Sequence, residues 1–143
     1  MAALLLDPST AVETATYPHR TALVVTESLL AVAGVAGAVQ LWEGSAAPPV
    51  EDIEPLGLHS WRVPALWLLA SVAVPSAVAA TLAYRRSPAA PTVTVVASAL
   101  LATELLVQIP FVGRSPLQAV LGSVSAGAAG LAVTARRAGW PRR

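Results

Sequence analysis

The chain has 143 residues, of which 55% are apolar and only 12% charged. A water-soluble domain carries about 25% charged residues, so this chain has too little polar surface to coat a soluble core, and lipid is its expected solvent. The net charge of +1 hides strong segregation; every basic residue is Arg, and the absence of Cys excludes disulfides, thiolate metal sites and thiol redox chemistry.

Residues 1–20 read as an N-terminal cytoplasmic tail. Its apolar start, Met1 to Leu6, is too short to span a membrane. Four apolar stretches follow, over residues 21–42, 64–84, 91–112 and 116–135. Each has about the 20 residues that a helix needs to cross some 30 Å of hydrocarbon. They predict an all-α, four-helix transmembrane bundle of up-down-up-down topology over residues 21–135, with a basic cytoplasmic tail over 136–143.

Span one is too long for the apolar core of a signal peptide and contains Glu27, so it is expected to be retained. Glu27 shares a stripe with Ala31, Gly34 and Ala38, a small-residue packing face. The loop after it is rich in Pro, Gly and acid yet carries Ile53, Leu56, Leu58 and Trp61. Those apolar groups predict a partly ordered cap over one end of the bundle. Span two holds Pro75 near its centre, which removes one backbone hydrogen bond and predicts a bend with the Ser71 carbonyl short of a donor.

Short connections then force spans two, three and four into antiparallel hairpins. Span three opens with Pro91, is expected to close or bend at Ile109-Pro110, and places Glu104 on a stripe with Ala97, Leu100, Leu101 and Gln108. Ser115-Pro116-Leu117-Gln118 reads as a capped start for span four, with Ser at the cap and Gln at the box position. Gly122, Ala126 and Gly130 at four-residue spacing predict tight packing inside the bundle, or a homodimer seam.

Charge sets the expected orientation. Arg20, Arg85, Arg86, Arg136, Arg137, Arg142 and Arg143 fall on one side, and only Arg62 and Arg114 on the other, beside Glu43, Glu51, Asp52 and Glu54. The Arg-rich side belongs in the cytoplasm. The expected location is the plasma (inner) membrane, multi-pass, with both termini cytoplasmic. Trp42, Trp61 and Phe111 at the outer ends, and Tyr17, Tyr84 and Trp140 at the inner side, fit headgroup anchors.

Carboxylates inside spans are costly, by about 2.5–3.5 kcal/mol on insertion scales, so they face the bundle and become candidate ligand or proton sites. Glu27 and Glu104 are the two. Counted from the cytoplasmic ends they lie about 9 Å and about 20 Å deep, too far apart in depth for a shared-proton pair. Glu104, Gln108 and Gln118 are expected to meet in the outer half of the bundle, as a ligand site or as interhelical hydrogen-bonding glue. His19 and His59 fall on opposite sides, so neither haem ligation nor a metal cluster is expected. No phosphate loop, nucleophile elbow or metal motif is present, and no cofactor or enzymatic activity is expected. Expected partners are membrane lipids, with a homodimer or membrane-protein partner possible by composition; no basic face exists for nucleic acid.

The order of these features resembles a set of small, uncharacterised four-span membrane proteins of high-GC bacteria, loosely DoxX-like. The resemblance rests on a small-residue first span, Pro48-Pro49, Leu58-His59-Ser60-Trp61, Val63-Pro64, Glu104 to Ile109, and Leu117-Gln118. It implies a four-helix bundle and a membrane location, with no defined reaction. Glu27 in span one is also similar to the membrane Glu of small multidrug transporters. The long loop one, the additional Glu104 and the absence of that family's pocket aromatics depart from that pattern. Two functions therefore stand: a non-enzymatic accessory or small-ligand and lipid-binding bundle, and a proton-coupled small-molecule transporter using an intramembrane glutamate.

Overall fold

The computed structural model describes residues 16–45 and 47–141. They form four long helices, α1 (Arg20–Glu43), α2 (Arg62–Tyr84), α3 (Ala90–Val112) and α4 (Pro116–Arg137), and no strand. All four are long and apolar enough to cross a membrane. Each helix packs on its successor, and α4 closes back on α1. The result is the expected four-helix bundle, with helix limits within two residues of those predicted. The expected tail over residues 1–20 lies mostly outside the described residues.

Local chemistry sets the ends. Gly44 closes α1 at φ 74°, a left-handed conformation that glycine adopts without a Cβ penalty, and its N–H donates to the Leu41 carbonyl. Ser115 and Gln118 form a reciprocal capping box at the start of α4, as their spacing predicts. Pro110 does not end α3, which runs on to Val112 before Gly113 turns the chain.

The loop after α1 is ordered by two short 3₁₀ turns, Val50–Asp52 and Glu54–Leu56. Ile53 is buried between them, and the Trp61 indole N–H donates to the Pro48 carbonyl at 2.8 Å. Leu56, by contrast, is exposed. The loop thus folds through Ile53 and Trp61 rather than through all its apolar groups.

Pro75 acts through its neighbours. The turn just before it, Leu69–Ala73, is a π-helix, in which the Val74 N–H reaches back five residues to the Leu69 carbonyl. A π turn is a common way to absorb a break in the α ladder. It also pushes backbone toward α1: a Cβ at Gly34 would sit 3.1 Å from both the Ala73 Cβ and the Ala73 backbone nitrogen. Gly34 permits this approach, which joins the small-residue stripe of α1 to the irregular turn of α2.

At the Arg-rich end the chain is knitted together. Trp140 follows α4 and is 1% exposed, packed with Leu23, Ala83, Ala90, Ala132 and Ala135. Its indole N–H donates to the Ser87 carbonyl at 3.0 Å, and its ring meets Tyr17 edge-on at 5.2 Å. The expected headgroup anchor is therefore a core residue. The small side chains Ala83, Ala90, Ala132 and Ala135 leave a space that a large ring fills.

Of the stripe Gly122, Ala126 and Gly130, the last two face away from the interior, while Gly122 is half-buried beside Leu105 of α3. α4 buries Ser125, Ala128, Ala132 and Ala135 instead, while Ala126 is exposed and no atom approaches the Cβ position of Gly130 within 4 Å. The expected tight packing inside the bundle is met only beside Gly122 and not at Ala126 or Gly130. The polar Ser125 claims the inner face because its hydroxyl donates to the Ser98 carbonyl at 3.0 Å, and Ala126 and Gly130 rotate outward with it.

Candidate functional site

The distribution of polarity is inside-out. Leu29, Val32 and Leu106 are each more than 60% exposed, whereas Glu27, Ser71, Ser76, Thr94, Ser98, Glu104 and Ser125 are buried. Buried polar groups beneath an apolar exterior are the reverse of a water-soluble domain. The chain is a multi-pass membrane protein. Within it, three places carry chemistry.

The first joins α2 to α3. Glu104 is buried, and its Oε2 accepts the Trp67 indole N–H at 2.6 Å. Its Oε1 accepts the Gln108 amide at 3.0 Å, one turn along α3. The Ser71 hydroxyl approaches Oε2 at 3.4 Å, but its single proton is better placed toward the Trp67 carbonyl, at 2.8 Å. That bond supports the backbone beside the π turn. Trp67 is 61% exposed as a residue. Its ring lies toward the surrounding medium and only its N–H turns inward, the amphipathic use to which Trp is suited. Glu104 is therefore held by specific donors on two helices, a clamp between α2 and α3.

Gln118 does not join this cluster. Its side-chain oxygen accepts the Ser115 N–H at 3.0 Å, and its own N–H donates to the Ser115 hydroxyl at 3.2 Å. The capping box claims the amide, which instead lines a groove between α3 and α4. Sequence reasoning placed Gln118 in two roles; the local one prevails because it satisfies N–H groups that the first turn of a helix leaves without an intrahelical partner.

The second place is Glu27. It is 0% exposed, and neither carboxyl oxygen has a hydrogen-bond partner among the described residues. The Ser76 hydroxyl on α2 faces it, outside good hydrogen-bonding geometry. On α3, the buried hydroxyls of Thr94 and Ser98 are likewise unpartnered. Glu27 lies about 10 Å from the Arg-rich end of α1 and Ser76 and Ser98 about 12 Å from the same end of their helices, counted at about 1.5 Å per residue. Glu27 and Glu104 thus differ in kind: one carboxyl is bonded to donors, the other is not.

The third place is the groove itself, about 420 Å³. Its walls are Ala102, Leu105, Leu106 and Ile109 of α3 and Ala119 and Gly122 of α4, with Arg114 and Gln118 toward its mouth. Gly122 borders the groove, and a Cβ there would meet Leu105 at an ordinary contact distance of 3.6 Å. Sequence reasoning missed Arg114 and Gly122 as a unit; the available signal was a lone Arg in a short loop, eight residues ahead of a small-residue helix face. His19 and His59 stand at opposite ends, and no group of metal-ligating side chains forms among the described residues. No protein-family model, curated protein or solved structure matches this chain.

Proposed function

We propose that this is a non-enzymatic membrane bundle that binds a lipid or a small amphipathic ligand, and that it lies in the plasma membrane with its Arg-rich end in the cytoplasm. The observation that carries the reading is the α3–α4 groove: apolar walls with one cation and one amide at the mouth. An acyl chain suits the walls, and a phosphate suits the Arg114 guanidinium, which donates in a fork matched to oxyanions. Leu106 lines the groove and is exposed on the apolar exterior, so a lipid chain can reach the groove from the bilayer. The order of features shared with DoxX-like bundles supports the same architecture.

The test is native mass spectrometry of the purified chain. Wild-type protein is expected to retain phospholipid through mild activation. Gly122→Leu fills the groove and is expected to lose that lipid at unchanged helicity by circular dichroism. Equal lipid retention by wild type and Gly122→Leu would remove the groove from the account.

Glu27 favours a second reading, a proton-coupled small-molecule transporter. Its support is the fully buried carboxyl without a donor, an arrangement that marks proton relays in membrane bundles. In reconstituted vesicles with a proton gradient, Glu27→Gln is expected to abolish any gradient-driven flux, because an amide carries no exchangeable carboxyl proton. Flux that persists in Glu27→Gln would end this reading.

A further inference from the structure

Of the features at the Arg-rich end, one is a cavity of about 450 Å³ lined by Tyr17, His19, Arg20, Thr21, Ala22 and Arg86. It brings together cationic side chains from two separate segments, the start of α1 and the α2–α3 turn. Both guanidinium groups are positioned by other contacts. Arg20 donates through Nη2 to the Tyr84 carbonyl at 2.7 Å and through Nε to the Ala83 carbonyl at 3.3 Å, and it lies over the Tyr84 ring. Arg has five donors, so three remain. Arg86 lies over the Tyr17 ring, 5.7 Å from its centre, and the donor edge of its guanidinium meets no acceptor among the described residues.

The backbone contributes as well. α1 begins without a side-chain cap, and no acceptor among the described residues meets the N–H groups of Thr21 and Ala22. His19 and Arg86 are the two non-glycine residues with positive φ among those described, at 60° and 59°, and both line this cavity. Among the described residues no carboxylate lines this cavity: Glu43, Glu51, Asp52 and Glu54 belong to the opposite end, and Glu27 and Glu104 are buried within the bundle.

We propose that this cavity is a phosphate site, filled in the membrane by the headgroup of an anionic phospholipid of the leaflet at the Arg-rich end. Two guanidinium forks, an imidazole and uncapped helix amides form a donor set for a phosphate oxyanion. The position at the level of the helix ends is where headgroups lie, and a basic recess between membrane helices at that level recruits anionic lipid. The site is independent of the α3–α4 groove, which opens near the other end of the bundle.

The experiment uses full-length protein in detergent, titrated with phosphatidylglycerol or phosphatidylcholine and read by native mass spectrometry. Wild type is expected to bind phosphatidylglycerol at least tenfold more tightly than phosphatidylcholine. Arg86→Gln is expected to erase that preference and Arg86→Lys to retain most of it, while Arg62→Gln, at the opposite end, leaves it intact. Gly122→Leu also leaves it intact, which separates this site from the groove. Competing inorganic phosphate distinguishes the sources: displacement of the lipid at millimolar phosphate assigns the site to phosphate in either form, and failure to displace assigns it to the lipid headgroup. If Arg86→Gln melts early, His19→Gln is measured in its place and is expected to weaken the preference. Equal affinity for the two lipids in wild type, or a preference unchanged in a folded Arg86→Gln or His19→Gln protein, overturns the proposal.

Discussion

Glu104 shows how much a single side chain can organise in hydrocarbon. Its two oxygens receive Trp67 from the neighbouring helix and Gln108 from its own. Glu104→Gln keeps one acceptor for the indole, and the Gln108 amide can present its oxygen to the new amide group. Thermal unfolding in detergent is expected to shift by less than about 1 kcal/mol for Glu104→Gln. Glu104→Leu strands the indole N–H and the Gln108 amide and is expected to cost about 1–3 kcal/mol. A Gln variant as damaged as the Leu variant would mean that the charge itself, not the hydrogen bonds, holds the helices. The Gln108 partnership was legible in the sequence as a one-turn spacing on one face. The Trp67 partnership was not, because an exposed ring with an inward N–H leaves no trace in a hydropathy pattern.

Helix limits were legible because they depend on local groups: glycine at Gly44, the Ser115–Gln118 box and the polar breaks between spans. Rotation of a helix about its own axis depends on partners, and there the sequence was a poorer guide. In α1 the expected small-residue stripe does face inward, with Gly34 and Ala38 buried. In α4 the similar stripe faces outward at Ala126 and Gly130, since Ser125 and the Ala128–Ala132–Ala135 row take the interior. The two glycines Gly34 and Gly130 therefore respond oppositely to the same change. Gly34→Ala places a methyl 3.1 Å from the π turn of α2 and is expected to destabilise the bundle by about 1–3 kcal/mol. Gly130→Ala meets open space and is expected to stabilise it by about 0.5–1 kcal/mol through helix propensity. Paired melting curves check both signs at once. The π turn itself was half legible: Pro75 predicted a fault in α2 but not that the turn before it would widen.

For the whole molecule, the segregated charges organise the ends. The Arg-rich end gathers Arg20, Arg86 and Arg136, the last bonded to the Thr92 hydroxyl. The other end carries the folded loop, where Arg62 lies over the Trp42 ring. Excess Arg in short segments marks the cytoplasmic side of membrane proteins in general, and the proposed orientation follows from it. The absence of Cys makes the orientation simple to measure. In intact cells a Cys introduced at Ser45 is expected to react with a membrane-impermeant thiol reagent, and one introduced at Ala89 is expected to react only after permeabilisation. Both positions are exposed, so the reverse pattern would invert the orientation rather than report burial.

The seat of Trp140 has a consequence for how the bundle comes into being. The ring closes against Tyr17 and Leu23, which precede or open the first helix, and against Ala83 and Ala90 at the middle turn. During synthesis the first three helices enter the bilayer while that seat is still empty, and the small Ala83 and Ala90 beside it cannot fill it. The Arg-rich end therefore seals last, when the segment after α4 folds back. Until then the newborn protein is a partly open hairpin assembly, and a chain stalled or clipped before Trp140 would carry an unclosed seam to whatever surveys the membrane for incomplete products.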